Sequence, residues 1–330
     1  MKRILIFLVL LNAMVFSAVE VEKTKLIPTK YKPTGITVDK EGNIYASSSF
    51  VGVIIKYSKE FKQEYILRIK DVKNITDIFA YENSLFVLLG NGSILEFDFD
   101  GNLKKQLDFP KGSLIGELDN PSGFYMEKNT IYIADTLNSR IVSMDFEGKN
   151  IKSFGYKSVF IDGFISPVGI SRLAQYYVIS DESTKEIKLF DKDGLYFGNF
   201  KNQENEENFL VSPQEVFVDD KNSVYVVDSG RNQIFIFSID GKIKNVGEKG
   251  YTKNKFYGPK DIWVDNKYIY VADTMNEKVK ILDRNNFTVV KVIGKRNVIC
   301  IYLAGFLAFI LVIFIANKGK KVRKGEKIEE

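Results

Sequence analysis

The fold predicted by this sequence is all-β: a six-bladed β-propeller with four-stranded antiparallel blades, followed by one C-terminal transmembrane helix. Three observations predict it. Residues 130–145, TIYIADTLNSRIVSMD, and residues 268–283, YIYVADTMNEKVKILD, are near-copies 138 positions apart. The prolines of NPSGF, SPVGI, SPQEV and GPKDI (Pro121, Pro167, Pro213 and Pro259) recur every 46 residues, so the two copies are three periods apart. Between these prolines, short alternating runs of β-branched and aromatic residues are broken by Gly, Asn and Asp, a period-two pattern that signals strands. Repeats of roughly 40–50 residues with three or four strands each build a propeller.

The elements follow in chain order. Residues 1–18 open with Lys2 and Arg3, run apolar from Ile4 to Phe16 and end in Ser17 and Ala18. The run is too short to cross a bilayer as a helix, so a cleaved secretory signal peptide is expected. The propeller is expected over 19–295, with blades starting near 33, 75, 121, 167, 213 and 259. One period before Pro121 lies Ile75 in NITDI, and 42 residues earlier lies Pro33 in KPTGI. Strand runs read GITV, IYA and VIIKY in the first unit and DIWV, YIYVA and VKILD in the last. DFDG at 98–101, DFEG at 145–148, DKDG at 191–194 and SIDG at 238–241 mark hairpins, where Gly permits the positive φ of a tight turn. A blade cannot bury both of its apolar faces alone, so six of them stack around a channel.

Val298–Ala316 carries no charge for 19 residues. A helix of that length reaches roughly 28 Å, close to the hydrocarbon thickness of a bilayer. The tail, 317–330, holds six positive and three negative charges, which makes it cytoplasmic and the propeller extracytoplasmic by the positive-inside rule. Tail and signal together account for the whole formal +5, and residues 4–317 sum to zero. No nucleic-acid partner is expected of a neutral folded domain. The basic tail also favours anionic headgroups, so the membrane itself is a partner.

The pattern P-x-G-[IV], then [IV]-Y-[IV]-A-D-[ST]-x-N, then an apolar run ending in D-x-x-G, resembles the NHL repeat family. The best copies are the third unit, with Pro121, Gly123, Tyr132, Asp135, Thr136, Asn138 and Arg140, and the sixth, with Pro259, Tyr270, Asp273, Thr274, Asn276 and Lys278. The fifth matches through Pro213, Tyr225, Asp228, Ser229 and Asn232, and the fourth keeps Pro167, Gly169 and Asp181. The first two depart, with Ser48 and Leu89 near the Asp position. The resemblance covers about residues 30–294 and implies a six-bladed propeller, usually non-enzymatic, that binds proteins and sometimes RNA.

Composition prunes the chemistry. The chain holds no histidine, which excludes a Ser-His-Asp triad and histidine-ligated zinc, and its single cysteine, Cys300, excludes an internal disulfide framework. The Asp-Thr-x-Asn segments read as turn-fixing structure, since a need shared by every blade explains a shared motif. Glu96–Gly101 spaces carboxylates like the start of a calcium loop, but Leu107 stands where the bidentate Glu belongs. Two residues after each repeat proline the units read Gly35, Asp77, Gly123, Gly169, Glu215 and Asp261. Packing alone would have kept these alike, so Asp77, Glu215 and Asp261 are candidates for ligand binding at a channel mouth. They are also the candidate ligands of a calcium ion, the one cofactor considered. Further ligand-binding candidates on that face are Asn138, Arg140, Arg231, Asn232, Asn276, Lys278, Tyr251 and Tyr257. Phe164 and Phe256, three residues before a proline, are expected to pack between blades. The function expected is recognition or scaffolding for a protein, peptide or glycan at the cell surface. The alternative is a calcium-dependent, lactonase-like hydrolase.

Overall fold

The computed structural model describes residues 19–294 except 73, 159, 161, 201–208 and 239–241. The expected signal peptide (1–18), membrane helix (298–316) and basic tail (317–330) lie outside the described residues, as does most of the SIDG turn. Among the described residues, no helix is long and apolar enough to cross a membrane.

The alternating runs form six antiparallel sheets among the described residues, each a meander in chain order from the channel outward. The first blade runs Gly35–Val38, Ile44–Ser48, Val53–Tyr57 and Gln63–Ile69. Val21–Thr24 adds a fifth strand on its outer edge, antiparallel to Gln63–Ile69, where four strands were expected. This strand has no counterpart in the other repeats, which is why the periodicity does not reveal it. The innermost strands of blades two to six are Ile75–Tyr81, Phe124–Glu127, Pro167–Leu173, Pro213–Val218 and Pro259–Val264.

Local chemistry closes each hairpin. Asp98, Asp145 and Asp191 each accept backbone N–H groups from residues two and four positions on, with Gly101, Gly148 and Gly194 at φ of 84°, 70° and 80°. Asp98 is therefore occupied as a turn former. At the first hairpin of blades one, five and six, Asp39, Asp219 and Asp265 accept the hydroxyls of Tyr45, Tyr225 and Tyr270.

The core is divided among the gaps between blades. Ile36, Ile44 and Ile55 of blade one pack on Tyr270, Ala272 and Ile281 of blade six, and the other pairs of neighbours enclose similar clusters. Each fully buried Ile, Leu or Val contributes about 1.5–3 kcal/mol. Among the described residues the first and last blades share no strand, so these two meet by packing rather than by a common sheet. Because strands alternate in direction, second-to-third-strand loops and blade-to-blade loops lie at one end of the ring, the loop face. First-to-second and third-to-fourth hairpins lie at the other, the hairpin face.

Candidate functional site

The structure brings Asp77, Glu215 and Asp261 together in the channel, where all three line the same two cavities. In blades two, four, five and six the register slips between the repeat proline, or Ile75 in its place in blade two, and the residues after it, a bulge that re-aims side chains at the channel. Asp77 Oδ1 accepts the N–H of Ile78 at 2.7 Å, and Oδ2 accepts that of Phe124, in blade three, at 3.0 Å. Asp261 accepts from Ile262 at 2.6 Å and from Ile36 of blade one. Glu215 accepts from Val216 at 3.1 Å, and the N–H of Ile170 in blade four lies near enough to favour its charged form. Each cross-blade donor follows one of the glycines, Gly123, Gly35 or Gly169. A Cβ on Gly169 would stand 2.8 Å from Glu215 Oε1, so the carboxylate can approach only because no side chain is there. Acid and glycine units are two halves of one contact, joining blades two to three, four to five and six to one.

These contacts sit in a costly place. Asp77 and Asp261 are only 7% and 6% exposed. Burial pushes the Asp77 carboxyl up to about 7 against the pull of its two N–H donors. Burial, and then the negative charge of Asp77, hold Glu215 and Asp261 well above the usual carboxylate range; Asp261 adds to the effect on Glu215. Calcium does not fit this arrangement. Both oxygens of Asp77 and of Asp261 are turned to backbone N–H groups, and among the described residues no three acidic or thiol side chains converge as metal ligands.

Two residues further along each innermost strand stand Thr37, Phe79, Tyr125, Ser171, Phe217 and Trp263, the last five of which line the channel. Thr37 and Ser171 accept the N–H groups of Ala80 and Val218 in the next blade. The four aromatics crowd together, with Trp263 at 5.3 Å from Phe79 and 5.0 Å from Phe217 between ring centres. Sequence reasoning missed this ring, although counting four from each proline finds it. Between acids and aromatics lies a chamber of about 270 Å³. On the loop-face side of the acids a polar vestibule of about 330 Å³ is lined by Ser122, Thr136, Gln214, Glu182 and Lys260 among others.

Several remaining candidates are engaged within the loop face. Fully buried Asp135, Asp181, Asp228 and Asp273 each accept N–H groups from the segment leading to their own blade's proline. Asn138 donates to Gly112 O at 2.7 Å and Asn276 to Gly250 O at 3.0 Å. Arg140 pairs with Asp135 at 2.8 Å and donates to the carbonyls of Ser113, Leu114 and Glu117. Arg231 donates to Phe209 O, and Asn232 Oδ1 accepts from Gly258 N at 2.8 Å. Lys278 also has a partner. Tyr257 is half-buried with its ring 5.1 Å from that of Tyr251, which is 77% exposed. Phe164 and Phe256 are buried.

Three blade-to-blade loops share one construction. Parallel bridges join Lys111 to Leu118, Lys157 to Phe164 and Lys249 to Phe256, seven residues apart in each case. A buried or half-buried cation pins each from beneath: Arg140 the first, Lys188 through Gly163 O the second, and Lys280 through Thr252 O and Lys255 O the third. Their tips carry Leu114, Ile115, Phe160 and Tyr251, at 69%, 74%, 73% and 77% exposure.

Fold and channel thus define a six-bladed β-propeller whose blades are stitched by buried carboxyls and whose loop face presents pinned apolar tips. A family model described as a 6-bladed beta-propeller matches residues 203–290. The Drosophila melanogaster protein brain tumor is 27% identical over 136 residues, which is 40% of this chain and 13% of that protein's length. A catalytically inactive histidine-to-alanine variant of virginiamycin B lyase from Staphylococcus aureus, solved with quinupristin, superposes with a TM-score of 0.56 at 16% identity, covering 84% of this chain and 88% of the other. A chain of a nidogen/laminin complex superposes with a TM-score of 0.58 at 16% identity, covering 74% and 91%. At such identities the likeness is one of fold. The lyase variant lost activity with a histidine, a residue type this chain lacks altogether.

Proposed function

We propose that the chain is a recognition module whose partner is a protein docking on the loop face. The observation that carries this reading is the set of apolar side chains held out on pinned loops, Leu114, Ile115, Phe160 and Tyr251, with exposed Leu137 and Met275 on the neighbouring 3-10 turns. Apolar side chains exposed on a rigid support lose little conformational freedom when covered, so their burial goes largely into affinity. The presence of a propeller of this fold in a nidogen/laminin complex supports the same reading. A tethered, extracytoplasmic placement belongs to the proposal and rests on the character of residues 1–18, 298–316 and 317–330.

Photo-crosslinking in cells tests the docking face. A crosslinking residue at Phe160 or Tyr251 is expected to capture the same protein, while one at Leu195 or Phe197, equally exposed on the hairpin side, captures none. Equal capture from both faces, or none from the loop tips, sinks the reading.

A further inference from the structure

The chamber behind the acid layer has a chemistry that the loop face does not share. Its aromatic walls come from four separate blades, and aromatic ring faces attract a cation within about 6 Å. At its other end stand Asp77, Glu215 and Asp261, whose hydrogen-bond partners among the described residues are backbone N–H groups. Lys260, a cation of the vestibule, is directed to Gln214 Oε1 at 3.4 Å. Asp77 and Asp261 are buried and Glu215 is half-buried, and the cost of keeping such groups charged without a counter-ion is what pushes all three toward the neutral acid, so that a bound cation would restore the carboxylate. Nothing within the blades requires that cost, since Thr37 and Ser171 make comparable cross-blade contacts with neutral hydroxyls.

We infer that this chamber binds a small organic ammonium ion, its charge beside the carboxyls of Asp77, Glu215 and Asp261 and its alkyl groups against Phe79, Phe217 and Trp263. A hard metal ion is not the match, because it demands oxygen ligands on all sides and six of the eighteen residues lining the chamber are aromatic. A volume of about 270 Å³ sets the ligand at the small end of the usual range for pockets. The inference is independent of the docking face, and either can fail alone.

Isothermal titration of the whole protein with choline, beside its uncharged isostere 3,3-dimethylbutan-1-ol, isolates the role of charge. Choline is expected to bind at least tenfold more tightly than the isostere. Asp261→Asn is expected to lower choline affinity at least tenfold, and Phe217→Leu to lower it severalfold, with circular dichroism unchanged. Absence of choline binding at millimolar concentration overturns the inference, as does equal binding of the isostere or undiminished binding to a folded Asp261→Asn. Should the Asp261 variant fail to fold, the choline–isostere comparison on the unaltered protein decides the matter.

Discussion

Asp77 is pulled two ways. Its two backbone donors favour the carboxylate, while burial favours the neutral acid, and burial prevails. The folded state therefore retains a proton that the unfolded chain, with an ordinary aspartate value near 4, releases. With more protons bound in the folded than in the unfolded state, stability falls as pH rises. The stabilisation is complete below about pH 4 and is lost by the time pH passes about 7. Glu215 and Asp261 are raised too and act in the same sense. The other titratable groups facing the cavities are Glu182 and Lys260 in the vestibule and Tyr81 and Tyr125 in the chamber. Surface carboxyls such as Asp98 and Asp145 are lowered and act oppositely, so the comparison must be differential. Between pH 4.5 and 8, denaturant unfolding should show the wild type losing stability relative to Asp77→Asn as pH rises. A difference that is flat, or that grows in favour of the wild type, refutes the account.

At the scale of the element, the pinned loops depend on cations that are themselves buried or half-buried. Lys280 is 3% exposed at its side chain, 2.8 Å from a fully buried Asp273, and its ammonium also holds the Thr252 and Lys255 carbonyls. Lys280→Met leaves that carboxyl without its cation and should cost about 3–5 kcal/mol. Hydrogen exchange should quicken across 249–256, whereas the exposed Lys157→Met should stay within about 0.5 kcal/mol of wild type. A silent Lys280→Met would mean that the loop stands without its pin. These loops also mark how far the sequence could be read. Blade number followed from Pro121, Pro167, Pro213 and Pro259 stepped back to Ile75 and Pro33, and the turn role of Asp98 followed from its recurrence. The pairing of acids with glycines did not, because the partner of each carboxylate is a backbone N–H in another blade, which leaves no residue-type signature. The pinning cations were illegible for a related reason: Arg140 opens its strand whereas Lys188 and Lys280 lie two residues into theirs, so the repeat blurs them.

The whole ring raises the question of how the first and last blades meet without a strand in common among the described residues. The near-copies at 130–145 and 268–283 supply the answer. Thr136 Oγ1 donates to Pro167 O at 2.8 Å between blades three and four, and Thr274 Oγ1 donates to Pro33 O at 2.7 Å between blades six and one. The closing junction therefore uses the same contact as an internal one, reinforced by Asp261 reaching Ile36 just as Asp77 reaches Phe124. If closure needs no special device, the two threonines are energetically equivalent. In a Ser122→Ala background, which removes the 2.6 Å contact of Ser122 Oγ with Thr136 Oγ1, Thr136→Val and Thr274→Val each leave a buried carbonyl short of a donor, at about 1–3 kcal/mol, and the two losses should agree within about 0.5 kcal/mol. Trp263 fluorescence and far-ultraviolet circular dichroism should report one coincident unfolding transition in both variants. A much larger loss for Thr274→Val, or a split between the two probes in that variant alone, would show that the junction of blades six and one is a weak seam and that closure depends on contacts the other junctions do not make.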